Sequence, residues 1–426
     1  MNSTFYTSLS GMKTYQAGID VWAHNLSNSN LSGFRARRPE FSTLFTESLS
    51  SASSTGGVSS QKGFGSKMNL ASMTTEQGSL TTTESTFDLA INGNGWFGVK
   101  NADDNTVYTR NGSFNFDSER FLVDKGGSYL TGQMAGNMAI SPDATQNKLL
   151  GVVTDIKANQ PQAQTKLQLP NMLSYPKKFT DTVSISGNLG VKDTEKNFSA
   201  SLVSATNNEN TLKVTLTKSA NQPDVGTNWE FIATIKSKDG SVSFDKKSGV
   251  LEFDGTGKII SKNLPTLSND GLPITLNFGK GAIGLQSNDS AAENLSVSKN
   301  GEPAGELSHY SVSQDGNVVA FFDNGYKTVV AKVAIYHFRN EQGLQEVGSS
   351  YYDSNALSGK PLFYRDAQGG LITKEGLIFD HHLEETNINN TEALSELMLI
   401  QKAFDASSRA LKAGDDMIKQ ALQMGS

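Results

Sequence analysis

The sequence predicts a mainly β protein with α-helical termini: coiled-coil-like helices at the two ends and two nested β domains between them. Apolar residues recur every seven positions near the termini and almost nowhere else. Period-two alternation, punctuated by hairpin-type dipeptides, fills the interior. The length of 426 residues exceeds what one hydrophobic core holds, so several domains are required. Charged residues at 19% and hydrophobics at 36% are sparse, and Ser, Thr, Asn and 40 Gly take their place. That is a composition of turns and exposed strands.

From Ser3 to about Asn28 the residues Phe5, Met12, Ile19 and Leu26 fall seven apart, with Tyr15 and Trp22 three positions after Met12 and Ile19. This is an a/d seam, and at 1.5 Å per residue it makes a rod of about 39 Å. The far end repeats the pattern with Leu397, Phe404, Leu411 and Ile418, supported by Leu394, Ile400 and Leu422. Asn389 followed by Glu392 reads as an N-cap with its capping box. A strict period of 3.5 favours helices packed on each other over a helix lying on a sheet. The expected assembly interface is therefore Phe5, Met12, Ile19, Trp22, Leu26, Leu397, Phe404, Leu411 and Ile418. Two amphipathic helices sharing one bundle core would use the same chemistry, and that alternative stays open at this point.

Thr46 through Ser66 is a Ser/Gly/Thr run with little to bury, read as a flexible or partner-ordered linker. Beyond it the dipeptides Asn111-Gly112, Asp239-Gly240, Asp254-Gly255, Asp270-Gly271, Asp315-Gly316 and Asn324-Gly325 predict hairpins. Thr328 to Phe338 is apolar on both alternating faces, which predicts a central or covered strand. Composition turns polar around residues 145 to 160 and again near 300, as at the edges of an inserted domain. The expected organisation is residues 1–30 and 386–426 as terminal helices, 31–70 as linker, 71–145 and 305–385 as a discontinuous first β domain, and 146–304 as an inserted outer β domain.

Several function classes are excluded or disfavoured. The net charge of −6 is spread evenly and offers no field for nucleic acid or an anionic membrane. Arg35, Arg37 and Arg38, beside Pro39, read as a solvated loop without the aromatic platform of a nucleic-acid site. The absence of Cys removes disulfides, thiolate nucleophiles and Cys-based zinc sites, and suits a chain that must remain unfolded in one redox compartment and fold in another. No window approaches 18 apolar residues, so no membrane insertion is expected. The first thirty residues lack a secretory signal pattern, which predicts either a cytosolic protein or export by a route without a cleavable signal.

Gly93-Asn94-Gly95-Trp96-Phe97-Gly98 spells a dinucleotide fingerprint, but Trp96 onward continues as strand where the fingerprint needs a helix, so the glycines read as a turn and no cofactor is expected. His381-His382 with Glu384 and Glu385 is the one local set of metal-ligand types. Adjacent strand residues point to opposite faces, so the set reads as surface near a domain junction, and no metal site is expected. No Gly-x-Ser-x-Gly elbow or paired catalytic carboxylates occur, and no enzyme activity is expected.

Five separated blocks resemble the bacterial flagellar axial proteins, the rod and hook family. They are Asn25-Leu26-Ser27-Asn28 with Gly33-Phe34-Arg35; Gly78-Ser79-Leu80 with Phe87 through Phe97; Tyr108 through Phe114 with Leu122-Val123 and Leu130-Thr131-Gly132; Glu385-Thr386-Asn387-Ile388; and Gln401-Lys402-Ala403-Phe404. Length and the segment Asp315-Gly316 through Phe338-Arg339-Asn340, Gly343-Leu344 and Gly348 point to the hook branch. Departures are Trp96 where the family usually has Phe, Glu119-Arg120 in place of a turn Gly, and Lys402 and Phe404 for Arg and Tyr. The resemblance implies a structural subunit that self-associates into a helical polymer with its terminal helices as the axial inner layer. It also implies partners in the rod, the hook cap and hook–filament junction proteins, and the flagellar type III export apparatus, with an extracellular location. A distal rod subunit, or in another class a secreted β-rich adhesin or binding module, are the alternatives.

Overall fold

The computed structural model describes residues 2–44, 46–49, 60–63, 65–69, 71–139, 147–156, 160–190, 192–260, 265–288, 295–363 and 376–424. Two long helices stand at the ends, α1 (Asn2–Ser27) and α2 (Asn390–Met424), and strands occupy the chain between them. The α2 start follows its capping chemistry: Asn389 Oδ1 accepts from the backbone N–H of Thr391 at 3.1 Å and of Glu392 at 3.3 Å. The expected return contact of the capping box is replaced, because the Glu392 carboxylate pairs with Arg38 at 2.8 Å.

Among the described residues the larger sheet runs Met138–Ala139, Lys148–Leu149, Ser174–Tyr175, Gly305–Val312, Asn317–Phe322, Lys327–Val333, Tyr129–Met134, Trp96–Lys100, Thr106–Thr109, Tyr351–Asp353, Gln345–Gly348. Apolar side chains cover both its faces. Phe97, Val99, Phe114, Leu130, Val318 and Val330 pack on one side, and Trp96, Tyr108, Tyr336, Phe338 and Tyr352 on the other. The doubly apolar stretch from Thr328 is central as expected, between the strands 317–322 and 129–134. It is broken at Ala334, after which Ile335–Tyr336 pairs with Trp96–Phe97 instead.

The second sheet begins with a four-strand meander, Glu195–Val203, Glu209–Lys218, Thr227–Ser237 and Ser243–Phe253, and folds over onto Thr182–Asn188, Leu272–Asn277 and Gly279–Gln286. Its own core holds Trp229, Phe231, Leu212, Leu216, Leu251, Ile274 and Phe278. Two corrections concern the boundaries. Leu149, Leu167, Leu169, Leu173 and Tyr175 bury their side chains in the first core, so residues 147–156 and 160–175, expected to open the inserted domain from 146, belong with the first sheet. The crossing lies at Lys178 and Glu302, which exchange backbone hydrogen bonds at 2.7 Å in each direction. Within the stretch 31–70, read as linker, Thr46–Leu49 pairs with Ser60–Gly63 and Phe41–Thr43 with Ser66–Met68, while residues 50–59 lie outside the described residues.

Five of the six expected hairpin dipeptides lie between paired strands. Asn111-Gly112 does not. The strands on either side, Thr106–Thr109 and Phe114–Phe116, pair with other partners, and Gly112 is needed because a Cβ there would sit 1.7 Å from the Leu89 carbonyl oxygen.

Candidate assembly interface

The seam residues pair the two helices of one chain. Trp22, Ala393 and Ile400 form a small buried core, with Tyr15, Ile19, Ile388 and Leu397 against it. Phe5, Met12, Leu26, Phe404, Leu411 and Ile418 are half-buried. Two glycines that heptad counting ignored set the approach. A Cβ at Gly11 would meet Ser407 Oγ at 3.3 Å, and one at Gly18 would meet Ile400 Cδ1 at 3.4 Å and Phe41 Cζ at 2.9 Å. Position 11 opposite 407 and 18 opposite 400 define an antiparallel pair, in which the last turns of α2 reach past the start of α1.

Among the side chains that α1 leaves open on α2 are six large apolar ones. Leu394 and Met398 lie on one flank of the seam, and Leu399, Met417 and Met424 on the other by helical rotation of about 100° per residue. Leu422 falls on the seam itself but beyond the end of α1, and is 70% exposed. Of the residues named from sequence, Ile19, Trp22 and Leu397 pack in the core between the two helices of the same chain. Leu394, Met398, Leu399, Met417, Leu422 and Met424 stay exposed. Sequence reasoning named Leu394 and Leu422 only as supports of the seam.

The helices leave the β structure through a neck built from four stretches of chain. Asn25, fully buried, turns its amide to Arg37, donating from Nδ2 to the Arg37 carbonyl at 2.7 Å and accepting the Arg37 N–H at 3.0 Å. Asn387 does the same across the gap, accepting from Ala36 N–H at 2.8 Å and donating to the carbonyls of Thr74 and Glu76 at 3.2 and 2.8 Å. Gly33 holds φ +70°, and a Cβ there would stand 2.3 Å from the Asn111 nitrogen. Only glycine lets the chain leaving α1 lie this close to the Arg110-Asn111 backbone.

At the centre of the neck is a buried ionic triad. Glu384 Oε1 lies 3.0 Å from Arg35 Nη2, and Glu384 Oε2 lies 3.2 Å from Arg110 Nη1, with all three side chains at most 4% exposed. Arg35 also donates to the Glu76 carbonyl, and Arg110 to the carbonyl of Gly93 at 2.7 Å. Gly78 N–H donates to Glu384 Oε1 at 3.1 Å. Burial, then the positive charge of Arg35, pull the Arg110 guanidinium down to about 10, against the opposing pull of Glu384. It stays charged at neutral pH. Burial and then Arg110 push the nearby His337 imidazole down to about 4, so it is neutral there. The solvated-loop expectation for Arg35, Arg37 and Arg38 is thus corrected. Arg35 is buried, Arg37 lies 3.4 Å from Glu346, and Arg38 pairs with Glu392. A local charge count cannot see carboxylates more than 300 positions away. Of the suspected ligand set His381, His382, Glu384 and Glu385, only Glu384 is in the triad; Glu385 accepts from Thr81 Oγ1 at 2.7 Å.

Two family models match parts of the chain that meet in the neck. The model described as the D1 domain of flagellar hook protein FlgE/F/G covers residues 90–159, and that of the flagellar basal body rod FlgEFG protein C-terminal region covers 380–424. The hook protein FlgE of Borreliella burgdorferi is 24% identical over 100% of both chains, and that of Escherichia coli 24% identical over 99% of each. The chain is similar to flagellar hook and rod proteins over these segments and to hook proteins over its full length. A third hook protein, from Brucella suis, is 25% identical over 97% of this chain and 96% of its own. Among solved structures, the flagellar hook protein FlgE2 of Helicobacter pylori matches at TM-score 0.56 and 17% identity, covering 71% of this chain and 100% of that one, which is a likeness of fold. The family's terminal segments coincide with α2 and its approach, where the triad carboxylate Glu384 lies.

Proposed function

We propose that this chain is a structural subunit of the bacterial flagellar hook, self-assembling into a flexible tube that acts as a universal joint and transmits torque from rod to filament. The observation that carries it is end-to-end similarity to hook proteins, helices and β domains alike. The helix pair supports an axial inner layer. Its intramolecular seam makes one stiff antiparallel unit, and the apolar flanks of α2 give two outward surfaces for neighbours. A heterologous contact that does not close on itself generates a helical filament, and two such flanks on one rod are what it needs. The neck supports torque transfer, since a buried, hydrogen-bonded ionic cluster resists shear between the helices and the first β domain. The outer sheet, joined through two adjacent strands at Lys178 and Glu302, would form the outer layer, where smaller polar contacts permit bending. The partners of this reading are further copies of the chain, the rod, the hook cap and hook–filament junction proteins and the type III export apparatus, with an extracellular place on the flagellum.

Electron microscopy of a deletion strain complemented with the wild-type gene or with Leu422→Asp tests it. Hooks are expected with the first and none with the second. Hooks in the uncomplemented deletion strain would refute the proposal.

A further inference from the structure

Lys332 is a buried amine in the larger sheet, where lysine is rarely found unless it is paired. It stands on the central strand Lys327–Val333, directly opposite Asn317 on one neighbouring strand and Gln133 on the other. Lys332 and Asn317 are 6% and 7% exposed. Opposed residues of paired strands put their side chains on one face of the sheet, with Cβ atoms about 4.5 to 5.5 Å apart. Val333 N–H donates to the Gly316 carbonyl at 2.8 Å, which makes Asn317 and Lys332 the non-hydrogen-bonded kind of pair, whose side chains are closest.

A third piece of chain supplies the acid. Val329 N–H donates to the Val153 carbonyl at 2.8 Å, and Val153 N–H to Thr328 Oγ1 at 2.9 Å, so the stretch 153–156 runs beside this strand and delivers Asp155 to the pair. Asp155 Oδ1 lies 3.2 Å from Lys332 Nζ and accepts from Asn317 Nδ2, also at 3.2 Å. One carboxylate oxygen therefore holds both nitrogens. Burial works to raise the Asp155 carboxyl, but the charge and hydrogen bond of Lys332, then the hydrogen bond of Asn317, hold it below the usual carboxylate range, so it is a base at neutral pH. The Asn317 carbonyl oxygen, by contrast, is buried and accepts no hydrogen bond among the described residues. An asparagine serving only to satisfy an ion pair would place both ends of its amide on partners. Here the nitrogen faces the base and the carbonyl is left free.

We propose that Lys332 and Asn317 become joined by an isopeptide bond, made by the folded chain itself with Asp155 as general base. Rotation about the last bonds of the Lys332 side chain carries neutral Nζ to the Asn317 Cγ, at a near-attack distance of about 3 to 3.5 Å. The Nζ lone pair forms the Nζ–Cγ bond. Asp155 takes the proton that the attacking nitrogen sheds and returns it to Nδ2; the Cγ–Nδ2 bond then breaks and ammonia leaves. Nothing is oxidised or reduced and no co-reactant is consumed. Aminolysis of an amide is slow between free molecules, but fixed register in one sheet supplies the effective concentration of about 10⁵ M or more that well-oriented groups reach. The product is a covalent rung between two strands of the first β domain, which cannot slip or open under load as hydrogen bonds can. This inference concerns one folded chain and does not depend on the hook reading.

Mass spectrometry of the full-length wild-type chain tests it. After incubation at about pH 9, where more of an ordinary lysine is neutral than at pH 7, the protein is expected to lose the mass of one ammonia. Trypsin should then release a branched peptide joining residues 300–327 to residues 328–339, with cleavage after Lys332 abolished. An unchanged mass would overturn the bond. So would loss of ammonia with Lys332 still cleaved, which is the result of succinimide formation at an asparagine, or a branched peptide that carries Gln133 in place of Asn317. Lys332→Arg keeps the positive charge without a nucleophilic amine, and Asn317→Ala removes the acyl group; neither is expected to give the branched peptide. Asp155→Ala, at a side chain 62% exposed, is expected to slow its formation about a hundredfold, and an unchanged rate would overturn the part given to the carboxylate. The wild-type result stands whether or not a variant folds.

Discussion

Glu384→Gln isolates the neck. The substitution keeps shape and leaves an acceptor for Gly78 N–H, but removes the negative charge that lies 3.0 Å from Arg35 and 3.2 Å from Arg110. Two guanidiniums then face each other at low dielectric, and Arg110, already weakened as a base by burial and by Arg35, has lost the group that opposed them. Breaking a buried ion pair by removing one partner costs about 3 to 5 kcal/mol. At about 2 to 4 °C per kcal/mol for a domain of this size, the first β domain should melt roughly 10 °C earlier. The three tryptophans allow the loss to be located: Trp22 sits between the helices, Trp96 in the first β domain beside Arg110, and Trp229 in the outer core. Single-tryptophan variants followed by fluorescence during thermal unfolding should show the shift at Trp96 and none at Trp229. A loss below about 1 kcal/mol, or an equal shift at Trp229, would refute the view that the triad is the electrostatic keystone of the neck.

The remaining expectations concern other parts of the molecule. His337 is held at about 4 when folded against 6.5 for a free imidazole, so the unfolded chain takes up a proton first as pH falls; stability present above pH 6.5 should decline toward pH 4 by up to about 3 kcal/mol, and His337→Gln should flatten that limb in urea titrations at stepped pH. Gly33→Ala must adopt positive φ and push a Cβ against the Asn111 backbone, so a loss above about 2 kcal/mol is expected in the same assay, with Gly136→Ala, where no atom lies within 4 Å, as the control for positive φ alone. Met398→Asp should leave the helix pair intact yet stop polymerisation, whereas Ile400→Asp should separate α1 from α2, read as loss of near-ultraviolet circular dichroism from Trp22. Replacing residues 179–301 by a short Gly/Ser linker bridges the neighbouring Lys178 and Glu302, and should give straight hooks by negative-stain microscopy; exported, stable protein without hooks would place the outer sheet in the lattice.

Periodicity alone marked both helices, and turn dipeptides marked five of six hairpins, because helix stripes and hairpin turns are chosen by residues within a few positions of one another. The same locality explains the failures. Asn111-Gly112 has the composition of a hairpin, yet its glycine is required by the Leu89 carbonyl of another strand. The polar stretch near 146 looked like a boundary, but Leu149, Leu167 and Tyr175 beyond it found their places in the first core. Arg35 looked solvated because Glu384, the anion that makes its burial tolerable, lies on the far side of the whole β insertion.

The sequence by itself determined that two apolar seams exist at the termini and that β structure fills the interval. Only the tertiary structure decided what the seams face. Heptad spacing says that a stripe will be buried, not by whom, since an intramolecular and an intermolecular partner offer the same apolar surface. With Gly11 and Gly18 admitting α2, the seam closes within the chain around Trp22 and Ile400, while Leu394, Met398, Leu399, Met417 and Met424 stay exposed on its flanks and Leu422 beyond the end of α1.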